Sequence, residues 1–505
     1  MNAITEISNI MSDTDKKAFI KLLSKRNKRK DTGNIDLFKS LETDDIKYKN
    51  NRTDKKAADA YHALRKRLYD SLIEFMGNRS FEQNTGEEHE VLRLLVASHV
   101  FFEHKLNKEA FKCLAKAEAK AQKLEHFSLL NEIYQTQIQF SHLRVEIPLG
   151  PAITKYTLNK HKLDQQEQLN LAYAVLRREL DDIYHKAKIV DLQLLIKDTM
   201  ANFGISLKEV LTFKSLYQIL FIANEYASIN SNFNLIEPFV EKSYRFVMDK
   251  QELAERHLYY HIYILYFMAN IHFRNRKFEL SDEYLNRMET EMQKQGKKYY
   301  NRFSARYSLL KALNENYKGF AVKAIDTALK ALANGRKTDP ADVNDLRLCI
   351  VIFYIQQGDN KTAHKYMKQF IHTDSWYEKK MGMDWTIKKS LIEILLHAEL
   401  ENTELALSRI TSFKRRYKKY LGEVKEERVM AYVFLLEKFI SKPDAATGAS
   451  FQKSFEDLLN TSSGSNEDIF VLSFLGWLLA KIQKKSIYSV TLELVNGYFS
   501  PFHSA

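Results

Sequence analysis

One pattern recurs along this chain at a nearly constant step, and it limits the fold more than any other feature. Small or apolar residues stand at i, i+4 and i+7, shortly after a polar turn. The clearest copies are Ala110, Leu114 and Ala117; Ala324, Ala328 and Ala331; Ala363, Met367 and Phe370; and Ala406, Ile410 and Phe413. Weaker copies carry Val240, Tyr244 and Val247; Ser281, Leu285 and Met288; and Phe451, Phe455 and Leu458. Two poorer ones sit at Ala152 with Tyr156 and at Leu192 with Ile196. The first positions fall at 110, 152, 192, 240, 281, 324, 363, 406 and 451, in steps of 39 to 48 residues. This spacing places the three side chains on one helical stripe. One helix pair cannot bury such a face alone, so neighbouring pairs must stack.

The breakers agree. The 505 residues include 15 glycines and 6 prolines. Tight hairpins and positive-φ turns consume glycine, so a chain this long with so little of it is mostly helix. Local signals mark helix ends. Asp339-Pro340 reads as an N-cap followed by proline at the first helical position. Ser206 with Glu209 reads as a capping box. Asn107 reads as an N-cap, and Asn334-Gly335 and Gly422 as helix ends.

The stripe, with a glycine five residues before it at Gly319 and Gly358, resembles the second-helix signature of tetratricopeptide repeats. The period departs from that family, near 42 against about 34 residues. The family's first-helix Trp, Leu-Gly and Tyr positions are mostly missing. The resemblance implies an all-α, right-handed α-solenoid of about eight to nine helix-turn-helix repeats over residues 81–460. A helical segment, residues 1–80, precedes the array, with amphipathic helices expected over 13–26 and 53–76. After a Ser/Gly/Asn linker at 461–466, an apolar helical hairpin is expected within 461–505, as a terminal cap on the last repeat's open face.

The resemblance also places the first helix of each pair on a concave groove. Its polar positions here include Arg302, Arg306, Arg347, Lys388 and Lys389. They imply a basic groove for an acidic peptide or protein, hence a non-enzymatic interaction scaffold.

Catalytic signatures are missing: no phosphate-binding glycine loop, no nucleophile elbow, no metal-binding HExxH helix, no paired CxxC. No catalytic, cofactor or metal residue is assigned. His257 and His261 share a helix face with tyrosines around them and read as packed histidines, and His99 with His104, and Asp181, Asp182 and His185, as surface groups. Cys113 and Cys349 cannot form a disulfide framework and fit a reducing compartment. Residues 1–21 lack a signal-peptide pattern, and the longest apolar stretch, 469–479, is too short to span a bilayer. A cytoplasmic protein is expected.

The net charge is +13. The densest basic run, Lys25, Arg26, Lys28, Arg29 and Lys30, admits three readings: phosphate contact, partner docking, or a solvated helix end. It lacks interleaved aromatics for base stacking. A nucleic-acid-associated regulator using this run is the alternative function. A second run, Lys414 to Lys419, reads as a solvated face, and the tyrosines around 259–266 mostly as core between long helices, with some lining the groove, where an amphipathic ring suits peptide binding.

Overall fold

In the computed structural model, helix accounts for 88% of the described residues, and none of them lies in a strand. The described residues are 3–11, 13–26, 32–42, 55–83, 87–143, 149–186, 191–205, 212–229, 233–234, 236–249, 251–334, 339–424, 426–444, 448–460 and 469–497. The capping box at 206–209 and Gly335 lie outside them. The chain divides into two compact units, Met1–Tyr156 and Thr157–Ala505.

In the first unit, α1 (Ala3–Ile10), α2 (Asp13–Arg26), α3 (Gly33–Glu42) and α4 (Lys55–Gln83) close a small core around Phe19, Phe38, Leu68 and Leu72. Then α5 (Glu87–Glu103), α6 (Asn107–Lys123) and α7 (Phe127–Gln139) form a second one, in which the stripe Ala110, Leu114, Ala117 is fully buried. Asn107 is the first helical residue rather than the cap: the cap is Leu106, with no side-chain bond to the helix.

The helix pair expected at Ala152 is absent. Instead α8, Leu149–Lys186, is one 38-residue helix. Its only proline, Pro151, sits in the first turn, where a missing N–H costs little, and nothing later in it breaks a helix.

In the second unit, α9 (Leu192–Asn202) precedes α10 (Phe213–Ile229), α11 (Glu237–Met248) and the short α12 (Gln251–Arg256). Four pairs with three-residue turns follow, three of them consecutive: α13 (Leu258–Arg274) with α14 (Phe278–Lys297), α15 (Tyr300–Tyr317) with α16 (Ala321–Asn334), and α17 (Pro340–Gln356) with α18 (Asn360–Met367). An inserted α19 (Asp374–Met381) separates these from α20 (Met383–Glu399) with α21 (Thr403–Glu423). The unit ends with α22 (Glu427–Ser441), α23 (Ala449–Asn460), α24 (Ile469–Gln483) and α25 (Ile487–Val495). The first helices α10, α13, α15, α17 and α20 each pack on the next. Each of α14, α16, α18 and α21 lies against its own first helix and the following one. The stripe residues Ala324, Ala328, Ala363, Ala406, Ile410, Ser281, Leu285 and Phe455 are buried accordingly. Asp339 caps α17 through the Ala341 N–H, with Pro340 at the first turn. Gly422 lies inside the last turn of α21, which runs one residue further.

Six turns share one geometry. The middle residue of each, Lys105, Glu125, Arg276, Gly319, Gly358 or Glu401, has φ between +50° and +99°. The next residue donates its N–H back five residues, as from Leu106 to the Phe101 carbonyl and from Asn402 to that of His397. This is the Schellman ending, which satisfies the last carbonyls of a helix and turns the chain sharply. Only two of the six use glycine, so the glycine signal in the sequence marks a third of them.

The C-terminal hairpin differs from the expected end cap. Its α24 buries residues on every side, from Ile469 and Leu472 to Trp477, Leu478 and Ile482. A helix apolar all round must be covered all round. It is enclosed by α25, by the C-terminal ends of first helices and by α22: Phe470 meets Phe273 and Arg274, Ser473 meets Tyr317, Trp477 meets Glu399, and Tyr432 of α22 donates to the Phe474 carbonyl. Gly476 permits this packing, since a Cβ there would stand 2.9 Å from Thr491 Oγ1 and 3.3 Å from its Cα.

Four substitutions test these turns and stripes. Glu401→Gly should raise stability by about 0.5–1 kcal/mol, since an L side chain is strained at positive φ, while Gly358→Ala should lose about 1 kcal/mol. Ala363→Trp should cost about 1–3 kcal/mol or more by overpacking. Exposed Lys330→Ala should stay within about 0.5 kcal/mol. Denaturant midpoints at unchanged slope measure all four.

Candidate functional site

The first helices carry a cluster of rings on their N-terminal halves. Tyr217 of α10 lies 5.0 Å from Tyr263 of α13, which in turn lies 4.7 Å from Phe303 of α15. Tyr259 and Tyr260 lie edge to face at 5.3 Å, and Tyr299 joins Tyr259 at 5.5 Å. Tyr263 and Phe303 are buried, whereas Tyr217, Tyr259 and Tyr260 are half-buried. Of the tyrosines expected mostly as core, Tyr263 is buried, while Tyr259, Tyr260 and Tyr266 are half-buried. Burial lifts the phenols of Tyr217 and Tyr259, so both stay neutral and able to donate.

The five cations expected to line a groove sit on first helices but do not form one basic surface. Arg302 is exposed, 5.5 Å above the Tyr259 ring. Arg306 is spent internally: Nε donates to Asp342 Oδ1 at 2.9 Å and Nη1 to the Tyr263 hydroxyl at 3.1 Å. Burial lifts the Asp342 carboxyl above its ordinary value, and Arg306 offsets part of that. Arg347 is half-buried, with Asn344 Oδ1 at 3.3 Å and the Phe370 ring at 5.9 Å. Lys388 pairs with Asp384 at 2.7 Å. Lys389 is buried between Asp374 at 3.1 Å and Glu393 at 3.3 Å. Acids on the same or neighbouring helices therefore neutralise three of the five, a pairing invisible in a one-helix reading.

The C-terminal halves of α13 and α15, and a longer stretch of α17 and α20 from Asp345 and Trp385 onward, form with the terminal hairpin an apolar cleft of about 290 Å³. Its floor is a stripe of α17, Asp345, Cys349, Ile352 and Gln356, and its roof includes Phe470, Phe474 and Trp477. The roof is pinned by Tyr317 to Ser473 at 2.7 Å, Trp477 Nε1 to Glu399 at 2.7 Å and Tyr488 to the Asn316 carbonyl at 2.7 Å. Asp345 Oδ1 accepts from Trp385 Nε1 at 2.7 Å. Burial pushes the Asp345 carboxyl up to about 7, against the opposing effect of that hydrogen bond. Burial also raises the Cys349 thiol, which leaves it unreactive. The sequence reading passed over this cleft. Its signal was a lone Asp at the head of an apolar run, 346–355.

The remaining candidates resolve into packing. His257 stacks on Phe213 at 5.5 Å, and His261 lies 3.6 Å from Glu291. Glu237, Glu241 and His272 bring ligand-type atoms within 4.8 Å of one another. There Lys277 and Asn275 both donate to Glu237, and His272 stacks on Tyr284 at 5.3 Å. Lys277 thus already supplies the charge that a cation would bring. Arg26 grips Glu74 with two bonds of 2.7 and 2.6 Å, Lys25 is exposed, and Lys28, Arg29 and Lys30 lie outside the described residues. In the second basic run, Arg416 pairs with Glu378 at 2.6 Å, Lys414 pairs with Glu437, and Tyr417 is buried. The side chain of His185 also lies outside the described residues.

Compared with known proteins, the chain matches no family model and no curated protein.

The Asp345 environment predicts a pH signature. Its folded value lies near 7 against an ordinary 3.8, so the folded state holds the proton more tightly than the unfolded one. Stability from this group therefore falls as pH rises from about 4 to about 7. Asp345→Asn keeps an acceptor for Trp385 and removes the titration. Its melting temperature should exceed that of the parent at pH 8, and the gap should close near pH 4.

Proposed function

We propose that the chain is a non-enzymatic interaction scaffold: a right-handed α-solenoid of about eight to nine tetratricopeptide-like repeats that captures a protein or peptide in the cytoplasm. The observation that carries this reading is the open ring cluster on consecutive first helices, Tyr217, Tyr259 and Tyr260, with exposed Arg302 above it. Tyrosine and arginine dominate binding hot spots because they bring large contact area and polar tips at low entropic cost. The recurring Schellman turn and the wedging of each second helix between two first helices support the repeat architecture. Arg302 favours a partner with an acidic residue beside an apolar one. Among the described residues no helix is long and apolar enough to cross a membrane.

An array of acidic, aromatic-containing peptides tests this reading. Arg302→Glu combined with Tyr260→Ala should weaken the retained peptides about ten-fold or more, the effect of losing one hot spot. Arg306→Glu is not a clean probe, because it would place a second carboxylate beside buried Asp342 where its counter-charge had been. Replacing Lys25, Arg26, Lys28, Arg29 and Lys30 with glutamine should leave peptide capture intact. Tight, salt-sensitive binding of duplex DNA that disappears with those five glutamines would overturn the scaffold reading in favour of a nucleic-acid regulator.

A further inference from the structure

The cleft between the first helices and the terminal hairpin has a polarity that packing alone does not explain. Asp345, Cys349, Ile352 and Gln356 stand at i, i+4, i+7 and i+11, so they line one face of α17. At about 1.5 Å per residue the stripe is roughly 16 Å long. Apolar residues fill its middle, and Leu309, Leu313, Ile392 and Leu395 wall it from the sides.

A polar group stands at each end. At one, Asp345 has an indole N–H on Oδ1 and no cation paired with it among the described residues. The charged and titratable groups around it come from every helix packed there. Arg306 of α15 is committed to Asp342 and Tyr263, and Lys388 of α20 to Asp384. On α13, burial pushes the Tyr266 phenol up to about 12, so it stays neutral. On α17 and its cap, Cys349 is likewise neutral, while Asp342 and Asp339 add negative charge that favours protonation of Asp345. Arg274 stands further along α13, 4.6 Å above the Phe470 ring. At the other end, Gln356 is 5% exposed; its Oε1 accepts from Asn316, and its Nε2 has no acceptor. A half-buried carboxylate without a counter-charge and a buried amide without an acceptor both cost stability.

We propose that this cleft is a binding site for an elongated apolar ligand ending in an amine, with the ammonium on the Asp345 carboxylate and the chain along α17. The ammonium supplies the missing counter-charge, and the chain replaces water against Cys349, Ile352, Leu309 and Leu395. A polar atom at the far end of such a ligand meets Gln356 Nε2. The site is distinct from the tyrosine face and does not depend on the scaffold reading.

The test uses the full chain and three probes of equal length: decylamine, decanol and decanoate. Trp385 and Trp477 both line the cleft, so tryptophan fluorescence reports occupancy. At pH 8 decylamine should bind saturably, about ten-fold or more tighter than decanol or decanoate, as expected for a hydrogen-bonded charge. Its affinity should drop at pH 6, where Asp345 takes up a proton and the amine remains charged. Asp345→Asn should erase the preference for the amine, and Ile352→Trp should block all three probes by filling the cleft. Unchanged circular dichroism and a single cooperative melting transition show that each variant is folded. If one variant fails to fold, the probe ranking and its pH dependence in the parent chain still decide the matter. Equal affinity for the three probes, tighter binding of decanoate, or an amine preference that survives in Asp345→Asn overturns the proposal.

Discussion

Six helix pairs among the described residues depend on one backbone event: a residue in the left-handed region that closes the first helix and launches the second. For Lys105, Glu125, Arg276 and Glu401 that conformation costs about 1–2 kcal/mol each, because Cβ crowds the carbonyl. Two backbone hydrogen bonds per turn offset the cost by satisfying carbonyls at the helix end. The return is geometric. With only three residues between helices, the second must fold straight back on the first, which brings the alanine stripe against it. Ala324, Ala328, Ala363 and Ala406 are fully buried for that reason. A larger side chain there would push the two helices apart and, through them, the next pair.

The register between pairs is set differently, by polar contacts across first helices. Asn270 donates to Asn224, Arg306 reaches both Tyr263 and Asp342, Asn316 donates to Gln356, and Trp385 donates to Asp345. Each joins one first helix to its neighbour. Apolar surfaces tolerate sliding, whereas a buried hydrogen bond tolerates almost none, so a small number of these fixes how the pairs align. The same contacts explain why the cations expected in a groove are mostly unavailable to a partner. Arg306 and Lys389 work within the fold, and of the five only exposed Arg302 and half-buried Arg347 have no carboxylate partner among the described residues.

The sequence made the helical class and most stripes legible, because a period near 42 survives even where turn residues vary. It concealed three things. The left-handed residue was visible as glycine at Gly319 and Gly358 but not as Lys, Glu or Arg, since no local pattern marks a strained residue held by its surroundings. The long α8 escaped because a chance pair, Ala152 and Tyr156, matched the stripe inside an unbroken helix. The placement of the terminal hairpin escaped because residues 469–482 look like an end cap when only their apolarity is weighed. Apolarity on every side is the stronger signal: an end cap leaves one face to water, and α24 has no face suited to it. Ion-pair partners were hidden for a related reason. Asp342 and Arg306 lie 36 residues apart, and nothing in either segment names the other.

The hairpin divides the first helices into two halves with different physics. On α13, Tyr259, Tyr260 and Tyr263 belong to the N-terminal half, while Asn270, Phe273 and Arg274 lie under the hairpin. The N-terminal half keeps amphipathic rings within reach of water, which suits a partner that must come and go. The cleft under the hairpin is roofed by Trp477 and Phe470, so charge there is felt at low dielectric and Asp345, which enters it from the N-terminal half of α17, holds its proton toward neutrality. Arg306 and Asp342 sit between the halves as a compensated pair. Because that pair is already closed, a charge change at Arg302 leaves the Asp345 environment intact, and protonation of Asp345 leaves the tyrosine face intact. The two surfaces can therefore be perturbed separately, one by the charge at Arg302 and the other by the proton on Asp345.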